Sequence, residues 1–134
     1  TLPLQNLIDR DGVEKQVLRI ILEEVRGASV LAVCIVIAPG DRKRYSHAAG
    51  DASIQFIEQT EPLGYGHALF SARDFVKDDP FLHLVGDHLY IGAHGESSSA
   101  RLVHLAETES CCVSAVQVTE ERRAGRKPQE PAAP

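Results

Sequence analysis

The sequence predicts an α/β domain built on a mostly parallel sheet, and three observations point to it. The chain has 134 residues, of which 43% are hydrophobic and 25% charged, the balance of a folded globular domain. Short apolar runs rich in β-branched residues alternate with stretches whose apolar residues recur at helical spacing. Glycine and proline punctuate the sequence between these runs, so strands and helices are expected to alternate, with the strands parallel.

The first two elements carry the clearest signals. Asp11 as N-cap and Glu14 three residues later give a capping-box spacing, and apolar residues then recur at helical intervals up to Val25. The run 30–38, VLAVCIVIA, is apolar on both faces and β-branched, which is typical of a buried parallel strand. The remaining predicted elements are a polar helix over 41–49, a strand over 53–59, a helix from His67, a strand over 81–85, a helix over 97–109 and a strand over 112–118.

Charge and hydropathy limit what the domain can bind. Lys plus Arg total 14 and Asp plus Glu total 19, so the formal net charge is −5. Nucleic-acid-binding domains usually carry a basic stripe, and an acidic body argues against that class. The longest apolar run is far shorter than the ~18 residues that a membrane span needs, so no membrane partner is expected.

Cysteine use and the C-terminal composition complete the expected domain organisation. The three cysteines have no CxxC spacing and make no disulfide framework, so we interpret them as reduced thiols of a cytoplasmic protein. From residue 119 the apolar periodicity stops, and three prolines fall in the last seven residues. We therefore expect one domain over residues 1–118 and a disordered tail over 119–134.

The segment 58–68 is the first candidate site, because it leaves a predicted strand and enters a predicted helix through two glycines. Gly64 and Gly66 allow a flat ligand or a phosphate to approach the backbone closely. The amide of Gln59 offers both donors and an acceptor, so it can read the edge of a nucleobase. The alternative is an ordinary connection between strand and helix, with the glycines present for turn geometry.

Asp87 is the second candidate, because it directly follows the predicted apolar strand 81–85 and Gly86. A carboxylate at the mouth of a parallel sheet suits Mg²⁺, which prefers oxygen ligands and shares them with substrate phosphates. The neighbouring His88 extends the set of possible ligands. The alternative is a turn aspartate whose carboxylate accepts from nearby backbone amides.

Two stretches of the chain resemble the sugar-1-phosphate nucleotidyltransferases, and most of all the UTP–glucose-1-phosphate uridylyltransferase type. The first is residues 59–90, QTEPLGYGHALFSARDFVKDDPFLHLVGDHLY, with the family's Gln, its Pro-Leu-Gly-x-Gly-His-Ala loop, a helix and an apolar strand ending in Gly-Asp. The second is residues 2–25, LPLQNLIDRDGVEKQVLRIILEEV, which is similar to the family's Leu-Pro-Leu segment and first long helix. The resemblance covers roughly residues 2–118.

The resemblance implies a fold and a reaction. The implied fold is a Rossmann-like three-layer sandwich of the nucleotidyltransferase type, incomplete in this chain, with a mostly parallel sheet. In the family's reaction a sugar 1-phosphate attacks the α-phosphate of a nucleoside triphosphate and pyrophosphate is released, a step that depends on positioning and charge neutralisation. The implied partners are UTP or dTTP and a sugar 1-phosphate, with Mg²⁺ as cofactor and no nucleic acid.

The resemblance also assigns roles to individual residues. It implies that Gln59 faces the nucleobase, uracil or thymine, and that Gly64 lets the base lie against the backbone. It implies that Asp87 holds the Mg²⁺ that bridges to the nucleotide phosphates. The implied nucleotide-binding residues are Gln59, Pro62, Gly64, Gly66 and His67, and the implied metal ligand is Asp87.

The chain departs from the family pattern at both ends. Family members begin with a Gly-rich loop, Gly-x-Gly-Thr-Arg, and a Lys that neutralises the triphosphate, and these residues would precede Thr1. Their second half, which builds the sugar pocket, is not matched. We expect a central piece of such an enzyme, inactive on its own and without an assigned catalytic residue. The alternative is a non-catalytic nucleotide-binding or regulatory module of the same fold, and an open sheet edge would favour a homo-oligomer.

Overall fold

Strands and helices alternate through most of the chain. A computed structural model describes residues 1–9, 11–90 and 96–110. The strands form one antiparallel pair and one parallel pair within this part of the chain. In chain order the elements are a 3-10 turn at Leu2–Leu4, β1 (Asn6–Ile8), β2 (Glu14–Gln16), α1 (Val17–Gly27), β3 (Cys34–Ile37), α2 (Arg42–Ala49), β4 (Gln55–Glu58), α3 (Tyr65–Ser71), α4 (Arg73–Val76) and α5 (Ser98–Leu105).

The residues before α1 form a hairpin, not the first turn of a helix. β1 and β2 pair antiparallel, and the turn between them is organised by Asp9. Its Oδ1 accepts from the backbone N–H groups of Asp11 at 2.9 Å and Val13 at 3.0 Å, and Gly12 takes a φ of +77°. The predicted N-cap at Asp11 is therefore wrong. The Asp9 side chain satisfies the backbone in a turn, and α1 begins only at Val17.

Lys15 joins this hairpin to α1. Its Nζ lies 2.7 Å from Oδ2 of Asp9 and 3.0 Å from Oε2 of Glu23. The hydrogen bond from Lys15, with those from the backbone of Val13 and Asp11, lowers the pKa of the Asp9 carboxyl below its ordinary value. The two carboxylates in turn raise the pKa of Lys15, so its ammonium is engaged within the fold.

The parallel pair positions the candidate site. β3 and β4 run in register from Cys34 opposite Gln55, and α2 connects them as a βαβ unit. The backbone N–H of Gln59 continues the ladder to the carbonyl of Ile37 at 2.8 Å. Gln59 therefore leaves the carboxyl end of the pair, the edge at which α/β sheets bind ligands. Cys34 is half-buried, and burial raises the pKa of its thiol, as expected for a packed cysteine.

The core lies between α1, α2 and the parallel pair. α1 packs against α2, α5 and the N-terminal 3-10 turn. Val17 is fully buried and Leu22 is 3% exposed, so the apolar stripe of α1 is its inward face. Glu24 accepts from Ser97 Oγ at 2.8 Å, which ties α1 to the start of α5. The main buried cluster consists of Leu18, Leu22, Ile37, Tyr45, Ala48, Ala49, Ile54 and Phe56.

Most predicted elements within the described residues are present with shifted ends. The helix predicted over 41–49 is α2, and the strand predicted over 53–59 is β4. The helix predicted from His67 begins two residues earlier as α3, and the helix predicted over 97–109 is the shorter α5. The strand predicted over 30–38 is shorter and is confined to β3, Cys34–Ile37. Before it, Leu31 and Ala32 are exposed, while the carbonyl of Val33 still accepts from the backbone N–H of Gln55 at 3.0 Å.

The predicted strand over 81–85 is wrong, since these residues form no strand. Phe81 and His83 are exposed, whereas Leu82, Leu84 and Val85 are half-buried. A strand forms only where a neighbour accepts and donates its backbone hydrogen bonds, and apolar composition does not supply that neighbour. The segment is a partly buried connection without regular secondary structure, and it ends in a turn at Gly86.

The α/β class is confirmed, with small sheets, whereas the three-layer sandwich stays a prediction. The strand predicted over 112–118 and the tail predicted over 119–134 lie outside the described residues. Within the described ranges, no helix combines the length and the hydropathy that crossing a membrane requires.

Candidate functional site

Gln59 is held by the loop that follows it. Its side-chain Nε2 donates to the carbonyl of Gly64 at 3.1 Å and lies 3.0 Å from Nδ1 of His67. Arg42, at the start of α2, donates from Nη2 to the carbonyl of Phe56 at 2.8 Å. Arg42 thus connects β4 to α2, and the Gln59 side chain connects the end of β4 to the first turn of α3.

Gly64 ends this loop and opens α3. Its φ of +95° and ψ of −173° lie in a region that glycine alone adopts readily. Just before it, the N–H of Leu63 donates to the carbonyl of Glu61 at 2.8 Å, which makes a tight turn centred on Pro62. A Cβ built on Gly64 meets nothing within 4 Å. Its Cα is therefore an open surface against which a flat ligand can lie.

Tyr65 connects the start of α3 to the segment that leads to Asp87. Its Oη is 2.9 Å from Nδ1 of His83, and the two rings make a T-shaped contact with centroids 5.3 Å apart. His83 is thus an exposed partner of the candidate loop, by which we mean residues 59–67, the connection after β4 together with the first turn of α3. It is not a residue of a buried strand. The contact links the first turn of α3 to the segment 81–85, which precedes Asp87.

Asp87 lies in an exposed turn. Its side chain is 73% exposed, and Oδ1 is 2.7 Å from Nδ1 of His88. The His88 ring stacks on that of Tyr90, with centroids 6.2 Å apart. The same turn lies next to the N-terminal segment, because a Cβ built on Gly86 would be 3.4 Å from Cγ of Pro3. The carboxylate faces solvent from an exposed turn that lies next to Pro3.

The donor set at Asp87 fits Mg²⁺ bound together with a phosphate. Among residues 1–9, 11–90 and 96–110, no three His, Cys, Asp or Glu side chains cluster as a metal site. Mg²⁺ is commonly held by one or two carboxylates and completes its shell with phosphate oxygens and water. One exposed carboxylate, oriented by His88, meets that requirement, whereas a cage of protein ligands would need more donors.

A shallow groove of about 340 Å³ lies beside α3 and α4. Its walls are mainly apolar, and the Arg73 guanidinium sits 4.3 Å from the centroid of the Phe70 ring. The groove includes Gly66 of the candidate loop, so it borders the region around Gln59. It is lined by Gly66, Leu69, Phe70, Arg73, Val76, Lys77 and Phe81.

The structure brings three of the predicted site residues into direct contact. Gln59, Gly64 and His67 share hydrogen bonds, with Pro62 in the same loop and Gly66 in the first turn of α3. Gln59 and His67 are eight residues apart in the sequence, and their residue types alone did not predict that their side chains would be in contact.

Sequence reasoning missed two residues that support the site. Tyr65 contacts His83 at a separation of 18 residues, and Arg42 contacts the carbonyl of Phe56 at a separation of 14. Both contacts depend on how α2 and α3 pack, which local spacing does not report. For Arg42 the available signal was its place directly after the turn that ends β3.

Gly64→Ala is expected to destabilise the fold by about 1–3 kcal/mol, because the methyl group is strained at this φ and ψ. The matched control is Gly66→Ala. Gly66 lies in α3 with open space around its Cα, and alanine there is expected to be neutral or stabilising by up to about 1 kcal/mol. Urea unfolding of both variants measures the difference. Equal stability of the two variants would contradict the backbone conformation described for Gly64.

Comparison with known proteins places most of the chain in one family. The sequence profile described as Nucleotidyl transferase matches residues 11–125. A glucose-1-phosphate thymidylyltransferase of Streptomyces griseus is 36% identical over 82 residues, which are 57% of this chain and 22% of that protein. A UTP–glucose-1-phosphate uridylyltransferase of Bacillus subtilis is 34% identical over 79 residues, 59% of this chain and 27% of that protein.

A third relative is the low-salt glycan biosynthesis nucleotidyltransferase Agl11 of Haloferax volcanii. It is 32% identical over 80 residues, which are 56% of this chain and 22% of that protein. The chain thus spans about a quarter of the length of the curated relatives it matches. No solved structure matches the chain.

Proposed function

The chain belongs to the nucleotidyl transferase family, and from that premise we propose that it carries the nucleotide-binding part of an enzyme acting on sugar 1-phosphates. The nucleotide is UTP or dTTP, with UTP as the first candidate. A thymidylyltransferase and a uridylyltransferase are both among the relatives, which supports this pair of nucleotides. The base-binding residues are Gln59 and Gly64, and Asp87 is the ligand for Mg²⁺.

The observation that carries the proposal is the hydrogen-bonded arrangement of Gln59 around Gly64. A polar amide stands at the carboxyl end of the parallel pair, 3.1 Å from the carbonyl of a glycine whose Cα is open. A nucleobase is flat and carries donors and acceptors on its edge, so it needs an open surface and one oriented polar group. Pro62, Gly66 and His67 shape the rest of the loop.

In the proposed reaction an oxygen of the sugar 1-phosphate attacks the α-phosphorus of the nucleotide. A new P–O bond forms, the P–O bond between the α-phosphorus and the bridging oxygen breaks, and pyrophosphate leaves. The loop 59–67 binds and orients the base, which fixes the place of the α-phosphate relative to the acceptor. Asp87 holds Mg²⁺, which when bound neutralises phosphate charge.

A calorimetric titration of the 134-residue chain tests this proposal. UTP and dTTP are expected to bind in the presence of Mg²⁺ at least about tenfold more tightly than ATP, because an oriented polar contact discriminates between bases by that much or more. Removing Mg²⁺ with a chelator is expected to weaken UTP binding. Absent UTP binding, or equal affinity for UTP and ATP, would contradict the proposal.

A further inference from the structure

The orientation of the Gln59 amide can be derived from its two neighbours. The carbonyl oxygen of Gly64 can only accept, so the amide atom 3.1 Å from it must be the NH₂ nitrogen. The same carbonyl also accepts from the backbone N–H of Ala68 at 3.2 Å, as the first hydrogen bond of α3. The flipped amide would place Gln59 Oε1 against this carbonyl oxygen. That orientation is unfavourable, because both oxygens are acceptors and repel each other.

The same nitrogen determines the proton position on His67. Gln59 Nε2 lies 3.0 Å from Nδ1 of His67, and because Nε2 is the donor, Nδ1 must accept. A neutral imidazole with an accepting Nδ1 carries its proton on Nε2. His67 belongs to α3, and its carbonyl accepts from Ser71 Oγ at 2.8 Å, so the ring is attached to a fixed turn of helix.

We propose that His67 is a positioning residue that, together with the Gly64 carbonyl, directs Gln59 Oε1 toward the nucleobase as a hydrogen-bond acceptor. Among the described residues, both hydrogen bonds of the Gln59 side chain use Nε2, which leaves the lone pairs of Oε1 for a ligand. The inference rests on the proposed function, since it assumes that a base lies against this loop. It also gives a physical reason why this loop would bind uracil or thymine in preference to cytosine.

An accepting Oε1 selects bases that present a donor. Uracil and thymine carry an N3–H, which donates to such an oxygen. Cytosine has the same size, but its N3 is an acceptor and would face Oε1 with a lone pair. UTP and CTP are therefore a matched pair of ligands, because they differ only in the hydrogen-bonding edge of the base. An accepting Oε1 is expected to bind UTP more tightly than CTP.

The first test uses the unaltered chain without nucleotide. Long-range ¹H–¹⁵N correlation spectra at neutral pH report which imidazole nitrogen of each histidine carries the proton. The expected result for His67 is a neutral ring protonated at Nε2. A ring protonated at Nδ1 would donate toward Gln59 and would overturn the inference, whether or not any nucleotide binds.

The second test compares UTP and CTP affinities in the unaltered chain and in His67→Phe. The phenyl ring keeps the volume but cannot accept from Gln59, so the ratio of UTP to CTP affinity is expected to fall about fivefold. The control is His104→Phe, a histidine on α5 whose side chain is 82% exposed, and the ratio there is expected to stay unchanged.

The outcomes separate this inference from the proposed function. An unchanged ratio in His67→Phe, with UTP still bound, would overturn the positioning role and leave the proposed function standing. Absent UTP binding by the unaltered chain would overturn the proposed function and the base selection with it. The tautomer of His67 would then still decide the geometry of the Gln59 amide.

Discussion

Replacing Asp87 with Asn is expected to lower the Mg²⁺-dependent affinity for UTP at least about tenfold and to leave the unfolding midpoint unchanged. The amide keeps the size of the carboxylate but removes its negative charge, and a neutral oxygen is a much weaker ligand for Mg²⁺. The side chain is 73% exposed and its recorded partner is the neighbouring His88, so the fold loses little. Titration calorimetry and thermal unfolding measure the two effects separately.

The matched control for Asp87→Asn is Asp79→Asn. Asp79 is also an exposed acidic residue, so its change alters the net charge of the chain by the same amount. We expect this control to bind UTP as the unaltered chain does. If Asp87→Asn unfolds the protein, or if both variants lose affinity equally, Asp87 has a structural or long-range electrostatic role and is not a metal ligand.

Leu22→Ala is expected to have the largest effect on stability, a loss of about 2–5 kcal/mol in the free energy of unfolding. Leu22 is 3% exposed and belongs to the buried cluster that joins α1 to α2 and the parallel pair. Truncating it removes apolar contacts and leaves a cavity that neighbouring side chains fill only in part. In so small a domain this loss is a large fraction of the total stability.

Leu31→Ala provides the control for this core substitution. The same side chain is removed, but Leu31 is fully exposed in the chain before β3. Its loss is expected to change stability by no more than about 0.5 kcal/mol. Urea unfolding followed by circular dichroism measures both variants. Similar losses at the two positions would contradict the assignment of the inward face of α1.

Local sequence signals predicted the two elements that lead to the candidate site. The polar helix over 41–49 and the strand over 53–59 are both present. Both lie between turn-forming residues, Gly40 and Gly50 around the helix and Gly50 and Pro62 around the strand. These two elements surround the strand end that carries Gln59. The sequence therefore predicted α2 and β4, the two elements that precede the candidate loop.

Competition between local and non-local pairing explains the elements that sequence reasoning missed. Asp11 and Glu14 have helix-start spacing, but the pairing of β1 with β2 and the turn at Asp9 satisfy the same backbone groups. The run 81–85 is apolar, but a strand also needs a neighbour in space. A pattern that spans only a few residues reports neither the pairing of β1 with β2 nor the lack, among the described residues, of a neighbouring strand beside residues 81–85.

The candidate site shows the same division. Gln59, Gly64 and His67 were selected because they surround a turn from a strand to a helix. Their mutual hydrogen bonds, and hence the direction of the Gln59 acceptor, depend on the first turn of α3 and the φ of Gly64. The sequence predicted which residue types lie at the turn, whereas the orientation of the Gln59 amide follows only from the three-dimensional structure.

The proposed nucleotide site joins the loop 59–67 to Asp87, and chemical-shift mapping tests this proposal most directly. The ¹⁵N-labelled chain would be titrated with UTP and Mg²⁺, and its backbone amide and Gln59 side-chain signals followed. We expect shifts at residues 59–67 and 84–88. Shifts confined to the groove around Arg73 and Lys77, with the loop and Asp87 unmoved, would contradict it.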